Sequence, residues 1–156
     1  MHAPRLNAFE LAPEGYAALR AVEGYIQRCG LEKPLMHLVK MRASQINGCT
    51  YCLDMHSRDA RREGETEQRL YLLNGWRGSP LYSDRERAAL AWTECLTEIA
   101  TRGAPDAEFE TLQEHFSSKE IVDLIALIGM INLWNRVAIA TRMQHRIEAN
   151  VRSKAA

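Results

Sequence analysis

Residues 45–56 read QINGCTYCLDMH, and the Asn47-Gly48 pair at their centre decides what kind of fold the chain has. Asn-Gly is a strong hairpin signal when alternating, β-branched runs flank it. Here the flanks, PLMHLVKMRASQI before and CTYCLDMHSRDARRE after, carry apolar residues at three-to-four spacing. The pair therefore reads as a break between two helices, with Cys49 and Cys52 in the first turn of the second. At about 100° per residue, Cys49, Cys52 and His56 fall within about 60° of one another on that helix.

This placement has chemical consequences. Unpaired amides and the helix dipole favour an anion in a first helical turn, so a thiol there is biased toward the reactive thiolate. His56, one turn on, is positioned to take the thiol proton or to stabilise the thiolate. Cysteines three apart at a helix start can also close a disulfide reversibly. Three plainer readings compete. A structural zinc site wants four ligands, usually from two such pairs, and no second pair is present, although His37, Cys29 and Cys95 are candidate donors; no metal is expected. Buried cysteines also serve as small apolar groups, the role expected of Cys29 and Cys95. A thioredoxin fold needs βαβ patterning around the motif, which is absent.

The same periodicity extends outward in both directions. GYAALRAVEGYIQRCG places Tyr16, Leu19, Val22, Tyr25, Ile26 and Cys29 on one stripe, with Gly30 as a stop. Pro34 suits the first turn of the helix before the motif, and the motif helix runs to Gly64. TEQRLYLLN forms a short helix ending near Gly75, followed by a loop at RGSP. Ser83 with Glu86, and Ser117 with Glu120, have capping-box spacing. The first opens a helix to Gly103; the second opens a long, nearly all-round apolar helix expected to reach Asn150. Between them Pro105 opens PDAEFETLQEHF. The expectation is an all-α, single domain over residues 1–156 with about seven helices.

Composition narrows the partners. The 20 basic and 20 acidic residues cancel, so there is no electrostatic footprint for nucleic acid or an anionic membrane. The longest apolar run, 121–131, contains Asp123 and reads as too short and interrupted to span a bilayer. The N-terminal sequence resembles neither a secretory signal nor a transit peptide, and a cytoplasmic location is expected. Four cysteines are too sparse for a disulfide scaffold.

The stretch MRASQINGCTYCLDMHSRDARREG, together with SDRERAALAWTECLTEI and INLWNRVAIATR, resembles the carboxymuconolactone decarboxylase superfamily, specifically its AhpD-like alkylhydroperoxidase branch. The likeness covers roughly 35–142 and centres on N-G-C-x-x-C-x-x-x-H. It implies thiol peroxidase activity in a homo-oligomer, commonly a trimer or hexamer. It also implies a peroxidatic Cys52, a resolving Cys49 and His56 in the proton relay. No cofactor is then needed beyond a Cys49–Cys52 disulfide, and the decarboxylases of the superfamily lack the cysteine pair. The branch places a relay glutamate twelve residues before the first cysteine, where this chain has His37, so either His37 takes its place or the relay acid comes from elsewhere. Similar members carry acids on the helix after the motif, matching Glu94 and Glu86. Glu86 is already explained as a cap partner, which leaves Glu94 as the preferred relay acid.

Around the motif, Gln45 lies one turn before Cys49, and Tyr51 stands where the prototype has a histidine. Trp134, Asn132, Asn135 and Arg136 interrupt the last helix and need polar partners if buried, as pocket lining, a subunit contact or a helix-helix network. His2, His115 and His145 are expected to face solvent. The function expected is a cytoplasmic antioxidant peroxidase. It acts on a small organic hydroperoxide or hydrogen peroxide and is recycled by a lipoyl or thioredoxin-like thiol reductant. The alternatives are a dithiol redox sensor or interaction protein, and a lyase on a small lactone.

Overall fold

A computed structural model describes residues 3–147. Among the described residues every regular element is helical: α1 (Ala8–Leu11), α2 (Pro13–Ile26), α3 (Lys33–Asn47), α4 (Thr50–Arg62), α5 (Glu67–Leu72), a 3-10 turn (Leu73–Gly78), α6 (Asp84–Thr97), α7 (Ile99–Arg102), α8 (Asp106–His115) and α9 (Ser118–Thr141). The seven longer helices are those the periodicity announces; α1, α7 and the 3-10 turn are additional. The stretch read as a loop from Arg77 is 3-10 through Gly78. The helix expected to run from Ser83 to Gly103 breaks at Glu98, which leaves helical geometry at φ −103°, ψ 33°, and α7 resumes beyond it.

Local chemistry sets most of the ends. Pro13 and Pro34 sit at the first or second positions of α2 and α3, where a missing N–H costs nothing. Both capping boxes form in full, at Ser83/Glu86 and at Ser117/Glu120. The far end of α9 departs from expectation. Arg142 takes the left-handed conformation at φ 57°, its N–H bonds the Ile139 carbonyl at 3.2 Å, and the Met143 N–H bonds Ala138 at 2.9 Å. This is a Schellman stop built on an arginine rather than a glycine, so no glycine or proline marks it. Met143 pins it by packing on the small cluster that holds Ala138 and both motif cysteines. Asn150, the expected end, lies outside the described residues, as does His2.

Helix α3 lies at the centre, against α4, α6 and α9. One core fills the space among α2, α3, α6, α8 and α9, with Leu124, Leu127 and Leu112 fully buried; Cys95 is buried in it and Cys29 packs at its edge. A second lies among α3 to α6 and includes Leu38, Leu73, Trp76 and Leu90. Helix α9 has 24 residues and is long and apolar enough to cross a bilayer by length and composition alone. In this fold it is the core helix, and its polar residues are answered inside the protein. Asp123, 2% exposed, accepts hydrogen bonds from the Tyr25 hydroxyl and the Lys119 ammonium, both at 2.6 Å.

Candidate active site

The joint between α3 and α4 builds the site. Gly48 adopts φ 69°, ψ 30°, a left-handed conformation that glycine enters without the penalty a side chain incurs. Its N–H bonds the Gln45 carbonyl at 3.3 Å, and the Cys49 N–H bonds Ser44 at 3.0 Å. Cys49 thereby closes the Schellman stop of α3 and serves as N-cap of α4, its sulfur accepting the Cys52 N–H at 3.4 Å. The helix begins at Thr50, so Cys49 stands one position before its first turn.

The two sulfurs are free thiols 2.8 Å apart and both are buried. Sharing one proton splits them. The hydrogen bond from Cys52 brings the Cys49 thiol down to about 7 against the cost of burial, helped by the Cys52 and Tyr51 amides and by Asn135. Cys52, as donor to that thiolate and buried beside it, is pushed up. Above about pH 7 the reduced pair is thus a monoanion with its charge on the helix-capping sulfur, as expected where backbone N–H groups converge.

Asn135 belongs to a buried polar chain. Asn47 donates to the side-chain oxygens of Asn132 and Asn135, both at 2.9 Å; Asn135 donates to the Ser44 hydroxyl at 3.0 Å; Asn132 donates to Thr97 at 3.1 Å. These asparagines form the helix-helix network that the sequence offered as one option. Arg136 is exposed and donates to the Asn132 carbonyl.

Cys52 and His56 line a cavity of about 270 Å³ whose walls include Phe9, Met55, Ile131 and Trp134. Burial first, then the nearby Lys40 and His37 charges, hold His56 down to about 3, with Glu23 opposing; its imidazole is neutral at ordinary pH. Three charged groups absent from the sequence reading border this cavity, Arg20, Glu23 and Lys40, and two of them pair. Lys40 of α3, 5% exposed, donates to Glu23 of α2 at 2.6 Å, and Glu23 also accepts from Gln27 at 3.0 Å and from the Trp134 indole at 3.3 Å. Burial alone would raise the Glu23 carboxyl, but Lys40 and these donors hold it below its ordinary value. Cys49 faces a separate groove of about 320 Å³ bordered by Thr50, Arg142 and the exposed His145; Tyr51, Ala138 and Met143 wall both spaces.

The acids singled out on α6 lie elsewhere. Glu94, 5% exposed, accepts from Trp76 at 2.9 Å, Arg42 at 2.8 Å, Arg77 at 2.6 Å and Arg102 at 3.1 Å. Burial opposes its ionisation, yet these donors bring it to about 2. Glu86 closes its capping box and pairs with Arg69 at 2.5 Å. Neither lines a cavity that reaches the sulfurs. His37 pairs through Nε2 with Glu63 at 3.2 Å, while its Nδ1 is buried with no hydrogen-bond partner. Gln45 accepts from Arg42 at 3.2 Å, and His115 is half-buried rather than solvent-facing. A signal for the missed pair existed. Lys40 stands in the row Met36, Lys40, Ser44 of α3, and Glu23 in the row Leu19, Glu23, Ile26 of α2, each a charge at a core-facing position that must be paired.

The site is a close pair of thiols at a helix-helix joint in an all-helical fold, and sequence comparison gives the family. Residues 12–94 match the carboxymuconolactone decarboxylase family, and the chain belongs to it, in the AhpD-like branch of the superfamily. The uncharacterized protein YdfG of Bacillus subtilis (strain 168) is 41% identical over 136 residues, 87% of this chain and 92% of its own. The crystal structure of an Agrobacterium tumefaciens protein of unknown function, provisionally described as an AhpD antioxidant defence protein, is 48% identical. It superposes with a TM-score of 0.91 over 94% of this chain and 100% of that one. An apo debrominase shares the fold at 23% identity and a TM-score of 0.79, over 93% of this chain and 77% of its own. The fold is therefore shared by an AhpD-like protein and by a debrominase.

Proposed function

We propose that the chain is a thiol peroxidase that reduces small organic hydroperoxides or hydrogen peroxide through a Cys49–Cys52 dithiol/disulfide cycle. The observation that carries this reading is the pair of buried sulfurs 2.8 Å apart, one of them opening on the cavity that holds His56. Cys52 faces the substrate space and attacks the terminal peroxide oxygen. As it does so its proton passes, through the adjacent Cys49 thiolate or the neutral His56, to the departing alkoxide, which leaves Cys49 ionised. The O–O bond breaks, giving a Cys52 sulfenic acid and an alkoxide that receives the Cys52 proton and leaves as alcohol. Cys49, as thiolate, then attacks the sulfenic sulfur; the S–S bond forms and hydroxide leaves as water. Two thiols and one hydroperoxide become one disulfide, one alcohol and one water.

His56 has too low a proton affinity to store the proton, so it passes it on. The Lys40 ammonium, held by Glu23, borders the same cavity and is placed to stabilise the departing alkoxide. On this reading Glu23 and Lys40 take the part the sequence assigned to Glu94 or Glu86. A lipoyl or thioredoxin-like dithiol returns the pair to its reduced form. The apolar residues that α9 leaves exposed, Val122, Ile125 and Ile139, support self-association as a trimer or hexamer.

The test is stepwise oxidation. Reduced protein receives cumene hydroperoxide one equivalent at a time, and intact mass is read after each addition. One equivalent is expected to be consumed with loss of two hydrogens. Cys52→Ser should consume none, and Cys49→Ser should stop at a sulfenic acid that dimedone traps. Turnover surviving in Cys52→Ser but lost in Cys49→Ser would reverse the two roles. Unreacted thiols in excess peroxide would reject the peroxidase reading.

A further inference from the structure

One of the charged side chains that border the cavity holding Cys52 and His56 is left without an ion-pair partner among the described residues. Three permanently ionised residues border the cavity: Arg20, Glu23 and Lys40. Glu23 and Lys40 neutralise each other at 2.6 Å, and His56 is neutral. Arg20 is left over. It is exposed, no carboxylate among the described residues pairs with it, and its guanidinium lies 5.0 Å from the centre of the Phe9 ring. That ring is itself held in an aromatic cluster, 5.0 Å from Tyr16 and 6.3 Å from Trp134, where it is stacked. The guanidinium is thus a donor fork at the exposed side of the cavity, beyond its apolar walls.

Resting on the peroxidase reading, we propose that the substrate of this site is an anionic organic hydroperoxide whose carboxylate Arg20 holds, with an apolar body of single-ring size. The cavity volume, about 270 Å³, sits at the lower bound of ordinary small-molecule sites, about 300 Å³, and so admits one ring with short substituents rather than a long acyl chain. Its walls, Trp134, Met55, Ile131 and Met143, match a ring face and a branched carbon. The hydroperoxide end meets Cys52 and His56, and the carboxylate end meets Arg20. The chemistry is that of the proposed cycle, with the carboxylate unchanged.

Binding and turnover test this separately. Titration calorimetry on the reduced protein uses 4-isopropylbenzoate and its uncharged amide as unreactive probes. The carboxylate is expected to bind at least about tenfold more tightly than the amide in the native chain. That ratio should fall to near unity in Arg20→Gln and be partly kept in Arg20→Lys. Equal affinity for the two probes, a ratio unchanged in Arg20→Gln, or no binding of either at millimolar concentration would overturn the proposal. Consumption of uncharged cumene hydroperoxide by the native chain reports on the peroxidase reading alone. A chain that consumes it but does not prefer the carboxylate refutes the substrate class and leaves the peroxidase intact. A chain that prefers the carboxylate but consumes no peroxide keeps the anion site and loses the reaction.

Discussion

A single proton shared between Cys49 and Cys52 governs the reactivity of the pair. With Cys49 brought to about 7, the reactive monoanion is half-populated near neutrality, so the rate of oxidation by peroxide should rise about tenfold per unit below pH 7 and level off above it. Thiolate absorbance at 240 nm, followed against pH, checks the same transition. His56 titrates in the opposite sense for the fold. Unfolded, it takes up a proton near 6.5; folded, at about 3. Between these values the unfolded chain binds more protons, so stability falls as pH drops through that window, and His56→Gln should flatten that part of the curve in urea titrations. Glu23 and Lys40 act as one unit, so Glu23→Gln and Lys40→Met should each lower kcat/KM for peroxide by about a hundredfold, and the double variant by little more. Independent, multiplying losses would mean the two do not cooperate.

At the scale of the element, the Gly48 joint is what aims the dithiol. A Cβ at Gly48 would meet nothing within 4 Å, so Gly48→Ala costs only the left-handed conformation, about 1–2 kcal/mol; Gly48→Asn should cost less. Both are measured by urea unfolding. Because the same residue ends α3 and sets Cys49 as cap of α4, the alanine variant should also raise the thiolate pKa. A purely structural glycine would change stability and leave the titration alone. This joint was legible in the sequence because every bond in it spans five residues or fewer. The end of α9 was not. Its stop uses Arg142 in a conformation that arginine seldom adopts, held by the packing of Met143, a tertiary cause that no local motif announces.

Across the whole molecule, Glu94 ties α3, the 3-10 turn, α6 and α7 together through Arg42, Arg77, Arg102 and Trp76. Glu94→Gln leaves three guanidinium groups around a neutral amide and should lower stability by about 3 kcal/mol. The Cys49 titration should not move. A folded Glu94→Gln protein with native stability and no peroxide turnover would restore Glu94 as the relay acid.

The sequence by itself determined the all-α class, the helix starts at both capping boxes, and the closeness of Cys49 and Cys52 at the start of α4. Each of these rests on interactions within one or two turns, which spacing alone specifies. Only the tertiary structure decided which carboxylate shares a cavity with Cys52. Glu23 and Lys40 lie 17 residues apart on different helices, and Glu94 lies 52 residues from Arg42. A core-facing row marks Glu23 as a charge that needs a partner, but does not say which one. The partners of both acids depend on how α2, α3 and α6 pack, and that packing is set by apolar burial over the whole core rather than by any pair of charges.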